Sequence, residues 1–172
     1  MAPNRVTAID IGAESVRVAT MRVRKGGAEL LGAGLTSVAD LERNDPNYTS
    51  ELAAAIRRVV KKNGIPIGHT VVGLSGRGTM VRYLSVPIVP PWNLSLVMGF
   101  EVEEQVGAGQ AASNVAYDYR ILSLPGFDET QFPMFLGLAQ TPVIEERLQV
   151  CRRAVRRADD VDLQALGAFN LF

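Results

Sequence analysis

The chain has 172 residues, of which 47% are hydrophobic, so it is long enough to bury a core in one or two domains. Its 18 basic and 18 acidic residues cancel, which argues against a nucleic-acid partner bound through bulk charge. The single cysteine, Cys151, excludes a disulfide framework and indicates a reducing compartment. Because the sequence contains neither a run of 18 apolar residues nor a signal-peptide core, we expect a cytoplasmic protein.

The first predicted element is a hairpin over residues 6–19. An apolar strand carries Asp10 near its end, a turn follows, and a second strand alternates apolar and polar residues. The turn consists of Gly12, Ala13, Glu14 and Ser15. Such a turn can direct backbone N–H groups at a phosphate, and Asp10 lies where a carboxylate can hold a metal ion through water. A plain structural turn is the alternative, because Asp-x-Gly after a strand is a common hairpin signal.

The next elements extend this hairpin into an α/β layer. The pattern predicts a third strand over residues 28–38, a helix over 50–62 with an apolar stripe, and a strand over 69–75. Four basic residues lie towards the C-terminal end of this helix: Arg57, Arg58, Lys61 and Lys62. Their positive charge is favoured there by the helix dipole, and they predict a solvated face. His69, the only histidine, has no ligand residues beside it, so we assign it a structural or solvent role. This order is typical of a ribonuclease-H-like layer, in which the fourth strand is parallel to the first.

A second unit is predicted to begin near Gly76. Its elements are a strand over 79–86, a helix capped by Asn93 and ending near 105, and strands over 115–124 and 132–139. The helix carries three clustered glutamates, Glu101, Glu103 and Glu104. Clustered carboxylates can bind a metal, but without histidine or a second acidic cluster we interpret them as a solvated face.

The last predicted elements are a helix over 142–158, a short strand over 161–163 and a helical start over 164–172. Cys151 lies on the apolar stripe of the long helix and is interpreted as a buried small hydrophobe. The other side of the helix is dense in arginine, including Arg147, Arg152 and Arg153. These side chains suit a solvated helix with salt bridges, and contact with an acidic partner or a lipid head group is the alternative.

Taken together in order and spacing, six segments resemble the N-terminal half of the PilM family, the actin-like cytoplasmic proteins of type IV pilus assembly. The segments are IDIGAESVR (9–17), VGLSG (72–76), RYLSVP (82–87), FEVEEQ (100–105), YDYRIL (117–122) and VDLQALGAF (161–169). FtsA, the actin-like cell-division protein, is the next most similar family. The resemblance covers almost the whole chain.

The resemblance implies a fold and a domain division. The fold is mixed α/β: a ribonuclease-H-like, actin-type subdomain with an inserted small α+β subdomain of the SHS2 type. The subdomain comprises residues 1–75 with 140–172, and the insert comprises 76–139. Residues 9–17 match the first phosphate loop of the family, so Asp10, Gly12, Ala13, Glu14 and Ser15 are the expected nucleotide contacts, with Asp10 holding Mg²⁺ through water.

Two departures bear on activity. The family usually has Ser or Thr directly after the glycine of this loop, and here that position is Ala13, so one hydroxyl contact to phosphate is lost. The second phosphate loop and the adenosine pocket would follow residue 172. We therefore expect ATP and Mg²⁺ only in a full-length or dimeric form, no catalytic residue in this chain, and either a natural half-protein or a piece of a longer one.

The function that the resemblance implies is a cytoplasmic scaffold at the inner membrane. PilM relatives bind the N-terminal cytoplasmic tail of the membrane protein PilN, so a PilN-like peptide and other pilus or secretion components are the expected partners, with no nucleic acid. Three alternatives remain: half of an ATPase or sugar kinase, an FtsA-like division protein, or a type II secretion component. Self-association is expected through the apolar surface where a second half would dock.

Overall fold

The computed structural model describes residues 4–76, 78–107 and 114–164, and these form eight strands and three helices. In chain order the elements are β1 (Arg5–Ile11), β2 (Ser15–Arg24), β3 (Gly27–Ser37), α1 (Tyr48–Lys62), β4 (His69–Leu74), β5 (Thr79–Pro87), α2 (Pro91–Val106), β6 (Val115–Ile121), β7 (Gln131–Gln140), α3 (Thr141–Val155) and β8 (Asp160–Leu163). The mixed α/β fold class expected from the sequence is confirmed. The predicted helical start after β8 lies outside the described residues from 165 onward.

Five of the strands form one mixed sheet in the order β3-β2-β1-β4-β8. The first three strands pair antiparallel, and β4 and β8 continue the sheet in parallel with β1. The predicted parallel pairing of the first and fourth strands is therefore confirmed. Asp159 fixes the start of β8, because its carboxylate accepts the Thr70 N–H at 2.8 Å and its own N–H donates to the Thr70 carbonyl at 2.7 Å.

The core of this sheet lies on one face only. Alternate strand residues such as Ile9, Val18 and Val72 are buried against Leu52 and Ile56 of α1 and against Val150 and Cys151 of α3. Handedness explains why both helices share this face. The crossovers β3-α1-β4 and β4-α3-β8 step in the same direction along the sheet, and right-handed crossovers of one direction place their helices on one side.

The remaining strands form a separate three-stranded antiparallel sheet in the order β5-β7-β6. Helix α2 packs on one face of it through Met98 and Val102, which meet Val86, Met134 and Leu136 in a second buried cluster. The chain divides into two compact units, Met1–Ser75 with Val143–Phe172 and Gly76–Pro142. No helix in the described ranges is long and apolar enough to cross a membrane.

The structure corrects two predicted helix ends. Asn93 is not the N-cap of α2, because Pro91 begins the helix and the Pro90 carbonyl already accepts the Asn93 N–H at 2.8 Å. Proline suits this first position because its ring fixes φ near the helical value. Helix α3 ends at Val155 rather than 158, because Arg156 adopts a φ of 91° that a helix cannot continue through.

Arg147 is a third correction in its burial alone, since the prediction places it among the solvated arginines of α3; the salt bridge expected of these arginines is present, with Glu146. Arg147 is only 3% exposed, and its Nη1 donates to Glu146 Oε1 at 2.5 Å. The exposed arginines Arg152 and Arg153 match the prediction. The spacing of arginines along the helix does not distinguish a buried arginine from an exposed one. The methylene groups of arginine can pack as an apolar chain wherever the guanidinium is paired with a carboxylate.

Replacing Leu52 by alanine should test the packing of α1 on the sheet. Leu52 is fully buried, so Leu52→Ala removes buried methyl groups and leaves a cavity that costs about 2–5 kcal/mol of unfolding free energy. The same change at the exposed Leu35 should alter stability by no more than about 0.5 kcal/mol. Urea denaturation of both variants measures the difference, and equal losses would contradict the described core.

Cys151 gives a second, pH-dependent prediction. Burial raises the pKa of its thiol from 9.0 to about 11, and the nearby charge of Arg147 offsets only part of this. The unfolded thiol therefore loses its proton first, so the contribution of Cys151 to stability is complete below about pH 9 and is lost as the pH rises towards 11. The difference in urea midpoint between the unsubstituted protein and Cys151→Ala should therefore shrink over that pH range. A difference that does not change with pH would show that the thiol ionises alike in the folded and unfolded states.

Candidate functional site

The candidate site is a groove on the open face of the five-stranded sheet. Because α1 and α3 both pack on the other face, side chains on this face are free to line a cavity of about 580 Å³. We call it the sheet groove. It is lined by Ala8, Ile9, Asp10, Arg17, Val18, Ala19, Ala33, Gly34, Leu35, Val71, Gly73, Asp162, Leu163 and Gln164. Its volume falls in the range of small-ligand sites.

Strand register arranges the groove as two neighbouring rows. One row is apolar and consists of Ala33, Ala19, Ala8 and Val71 on four adjacent strands. Small side chains in this row leave the backbone close to the surface. The groove therefore has an apolar floor that an incoming apolar side chain could cover.

The second row contains three charged residues. Across the sheet it runs Leu35, Arg17, Asp10, Gly73 and Asp162. Gly73 has no side chain, so Asp10 and Asp162 face each other across it from strands about 10 Å apart. A β-carbon on Gly73 would lie 3.8 Å from its nearest neighbours, which is ordinary van der Waals contact, so packing does not require a glycine at this position. The row gives the groove a charged end beside its apolar floor.

Asp10 is the most constrained charge in the groove. Its Oδ2 accepts a hydrogen bond from Arg17 Nη1 at 2.8 Å, which also makes the pair a salt bridge. Its Oδ1 is buried and has no hydrogen-bond partner among the described residues. A buried acceptor without a donor is costly, so Oδ1 is a place where water or a ligand group would be held.

The turn after Asp10 is tightly closed. The Gly12 N–H donates to the Ser15 carbonyl at 2.9 Å, and a β-carbon on Gly12 would lie 3.2 Å from that oxygen. The Glu14 carbonyl accepts the Val38 N–H at 2.9 Å, which ties the turn to the chain just after β3. Ala13 and Glu14 remain exposed at the tip. The amide of Gly12 is thus already bonded, which leaves the tip residues as the donors that could meet a phosphate.

The five predicted site residues do not converge on one point. Asp10 lines the sheet groove, whereas Gly12, Ala13 and Glu14 form the turn, Ser15 begins β2, and none of these four lines the groove. The described residues contain no group of three His, Cys, Asp or Glu side chains placed to hold a metal. Arg17 already balances the charge of Asp10, so the only fit for Mg²⁺ in the predicted set is a metal-bound water donating to Asp10 Oδ1.

Sequence reasoning missed three groove residues: Arg17, Asp162 and Gln164. Arg17 was treated only as a polar position in an alternating strand, and Asp162 as part of a short extended piece. The missing information is topological. Once β8 is placed beside β4, the alternation of Val161, Asp162 and Leu163 puts the carboxylate on the same face as Asp10.

No model of a protein family matches the sequence, and no curated protein matches it. Solved structures do match. A chain of the PilM-PilN type IV pilus biogenesis complex is 18% identical, with a TM-score of 0.76 over 96% of this chain and 49% of that one. The cytoplasmic domain of EpsL, an inner-membrane component of the type II secretion system of Vibrio cholerae, is 12% identical, with a TM-score of 0.53 over 94% and 58%.

These likenesses concern the fold. The chain spans about half the length of the pilus protein and less than two thirds of the EpsL domain. Both matches extend over nearly the whole of this chain and therefore include both compact units. The resemblance to PilM drawn from the sequence motifs is confirmed at this level: the chain has the fold of the PilM-PilN pilus protein and of the EpsL cytoplasmic domain.

Proposed function

We propose that this chain is a PilM-like scaffold unit of type IV pilus or related secretion assembly, which binds the N-terminal tail of an inner-membrane partner. The observation that carries the proposal is the open apolar face of the five-stranded sheet. A sheet face with Leu35 69% exposed beside a row of alanines is completed by apolar contact with another segment. The fold shared with a chain of a PilM-PilN complex supports a PilN-like tail as that class of partner.

The electrostatics of the groove also favour a scaffold over an enzyme. Asp10, the acid with the clearest potential chemistry, is held in a salt bridge by Arg17, and the neighbouring Gly12 amide bonds within its own turn. A group engaged in this way positions the hairpin more readily than it activates a water molecule. Under this proposal the chain works on the cytoplasmic side of the inner membrane and reaches the membrane through its partner.

Nucleotide binding is a second candidate that one observation supports. The buried Oδ1 of Asp10 has no hydrogen-bond partner in the part of the chain that the structure describes, and Asp10 lines the groove together with Gln164. A complete cleft could use this oxygen to accept a hydrogen bond from a magnesium-bound water. ATP would then be a ligand of the longer or dimeric form, with the exposed tip of the Ala13–Glu14 turn near its phosphates.

A synthetic peptide of the PilN N-terminal tail should bind the full chain with a micromolar dissociation constant. Isothermal calorimetry measures this directly, and a scrambled peptide of the same composition controls for non-specific contact. Loss of one good apolar contact between the tail and the sheet groove should weaken this binding by about tenfold. Tail binding that is no stronger than that of the scrambled peptide would contradict the scaffold proposal.

Mg-ATP should bind this chain weakly or not at all, because Arg17 and the Gly12 amide are already engaged. The same calorimetry with Mg-ATP tests this, together with an assay of phosphate release. The informative variant is Asp10→Ala, and Asp118→Ala on an exposed strand of the other sheet is its matched control. Hydrolysis that Asp10→Ala abolishes and Asp118→Ala leaves intact would favour the enzyme over the scaffold.

A further inference from the structure

Helix α2 carries apolar side chains on two opposite sides. One side is buried against the three-stranded sheet through Met98 and Val102. The other side presents Trp92, Leu96 and Phe100 at a spacing of four residues, and we call these three the outer stripe. Their exposed fractions are 78%, 61% and 63%. At four-residue spacing they form one continuous ridge along the helix.

This ridge is not explained by the core of its own unit. A helix that is apolar all round is normally buried all round, whereas a solvated helix keeps polar residues on its outer side. Scattered single apolar residues on a surface need no explanation, but three large ones in a row including a tryptophan form a patch that marks an interaction site. Tryptophan is also among the residues that contribute most to binding at interfaces.

The patch continues from the helix onto strand β6. Tyr117 and Ile121 are 41% and 46% exposed, and both point to the face of the sheet on which α2 lies, since they pair with Leu138 and Met134. Gly99 of α2 is the residue beside β6, since the Tyr117 hydroxyl lies 3.9 Å from where a β-carbon on Gly99 would be. The helix therefore offers a ridge with a shallow step beside it.

The C-terminal end of α2 is negatively charged and lacks compensation. Glu103 and Glu104 are exposed, and the helix contains no lysine or arginine. Acidic residues in a last turn oppose the helix dipole, which favours cations there. Within the described ranges neither glutamate forms a salt bridge, and Arg82, on neighbouring β5, donates to Gln105 instead. This arrangement costs stability in the free chain and would be relieved by a positive charge from outside.

We propose that the outer stripe docks an amphipathic helix of another protein, whose apolar side carries lysine or arginine at the end that meets Glu103 and Glu104. A helix fits the outer stripe better than an extended strand, because α2 offers side-chain ridges, whereas a strand would pair with the backbone edge of β6 and not with the stripe. A second copy of α2 fits less well, because it would bring no basic side chain to the glutamates. The surface belongs to the second unit and does not depend on tail binding, so it goes beyond the scaffold proposal.

The chain contains one tryptophan, Trp92, so its fluorescence reports on this surface alone. The probe is a synthetic helical peptide with leucine along one side and lysine at one end of that same side; its twin has glutamate in place of every lysine. We expect the leucine–lysine peptide to shift Trp92 emission to shorter wavelength with saturation, and the twin to bind at least about tenfold more weakly. Glu103→Lys combined with Glu104→Lys should reverse this preference.

Two single variants distinguish docking on the outer stripe from non-specific hydrophobic association of the peptide. Leu96→Asp places a charge in the middle of the stripe and should abolish the shift, while Leu30→Asp, at another exposed leucine on the other sheet, should leave it unchanged. Circular dichroism of each variant checks that the fold is retained. The charge-reversed protein, which keeps the stripe, gives the same test if Leu96→Asp fails to fold.

Three results would overturn the proposal. The first is an emission maximum that stays at its solvent-exposed value throughout the titration with the leucine–lysine peptide. The second is equal affinity for both peptides, which would remove the role of the glutamates. The third is concentration-dependent dimerisation in sedimentation that Leu96→Asp abolishes, since a second copy of the chain would then be the occupant.

Discussion

The handedness of two crossovers sets the surface on which this protein depends. Both connections between parallel strands step in the same direction, from β3 to β4 and from β4 to β8, so α1 and α3 are confined to one face of the sheet. The core follows from this, because Ile9, Val18 and Val72 all point to the covered side. The open side follows as well, and it carries the residues with functional potential. One chiral rule thus separates the stabilising face from the candidate binding face.

On the open face, strand register decides which residues meet. Neither Asp10 nor Asp162 is unusual in its own strand: Ile9 and Ile11 beside Asp10 enter the core, and Val161 beside Asp162 packs against it. The two aspartates lie in one row across the sheet because β4 pairs with both of their strands and has a glycine at the matching position. Arg17 reaches Asp10 for the same reason, from the directly opposite position of β2. The salt bridge therefore ties the first hairpin together at the groove.

The sequence was a good guide to the elements and a poor guide to their contacts. Period-two alternation and glycine turns located the strands of the first sheet, because those signals are local. Asn93 was misassigned because a polar cap signal and a proline start compete, and Pro91 prevails by fixing its own φ. Arg147 was misassigned because its burial, at 3% exposure, depends on tertiary packing, whereas its ion-pair partner Glu146 is the preceding residue and carries no such signal. Asp162 required the topology of the sheet, which no local pattern contains.

Helix α2 shows the same limit in a way that bears on function. From sequence, Phe100 joined Met98 and Val102 in one broad apolar face, whereas in the fold Phe100 lies on the opposite side. The sequence pattern shows that α2 has more apolar residues than one buried face can hold. Only the packing of α2 on its sheet shows which of them stay exposed. The residues left over are Trp92, Leu96 and Phe100, next to carboxylates that oppose the dipole of their own helix. A chain with a neutral overall charge has thereby concentrated apolar surface and negative charge on one helix, a combination that a basic amphipathic helix complements on both counts.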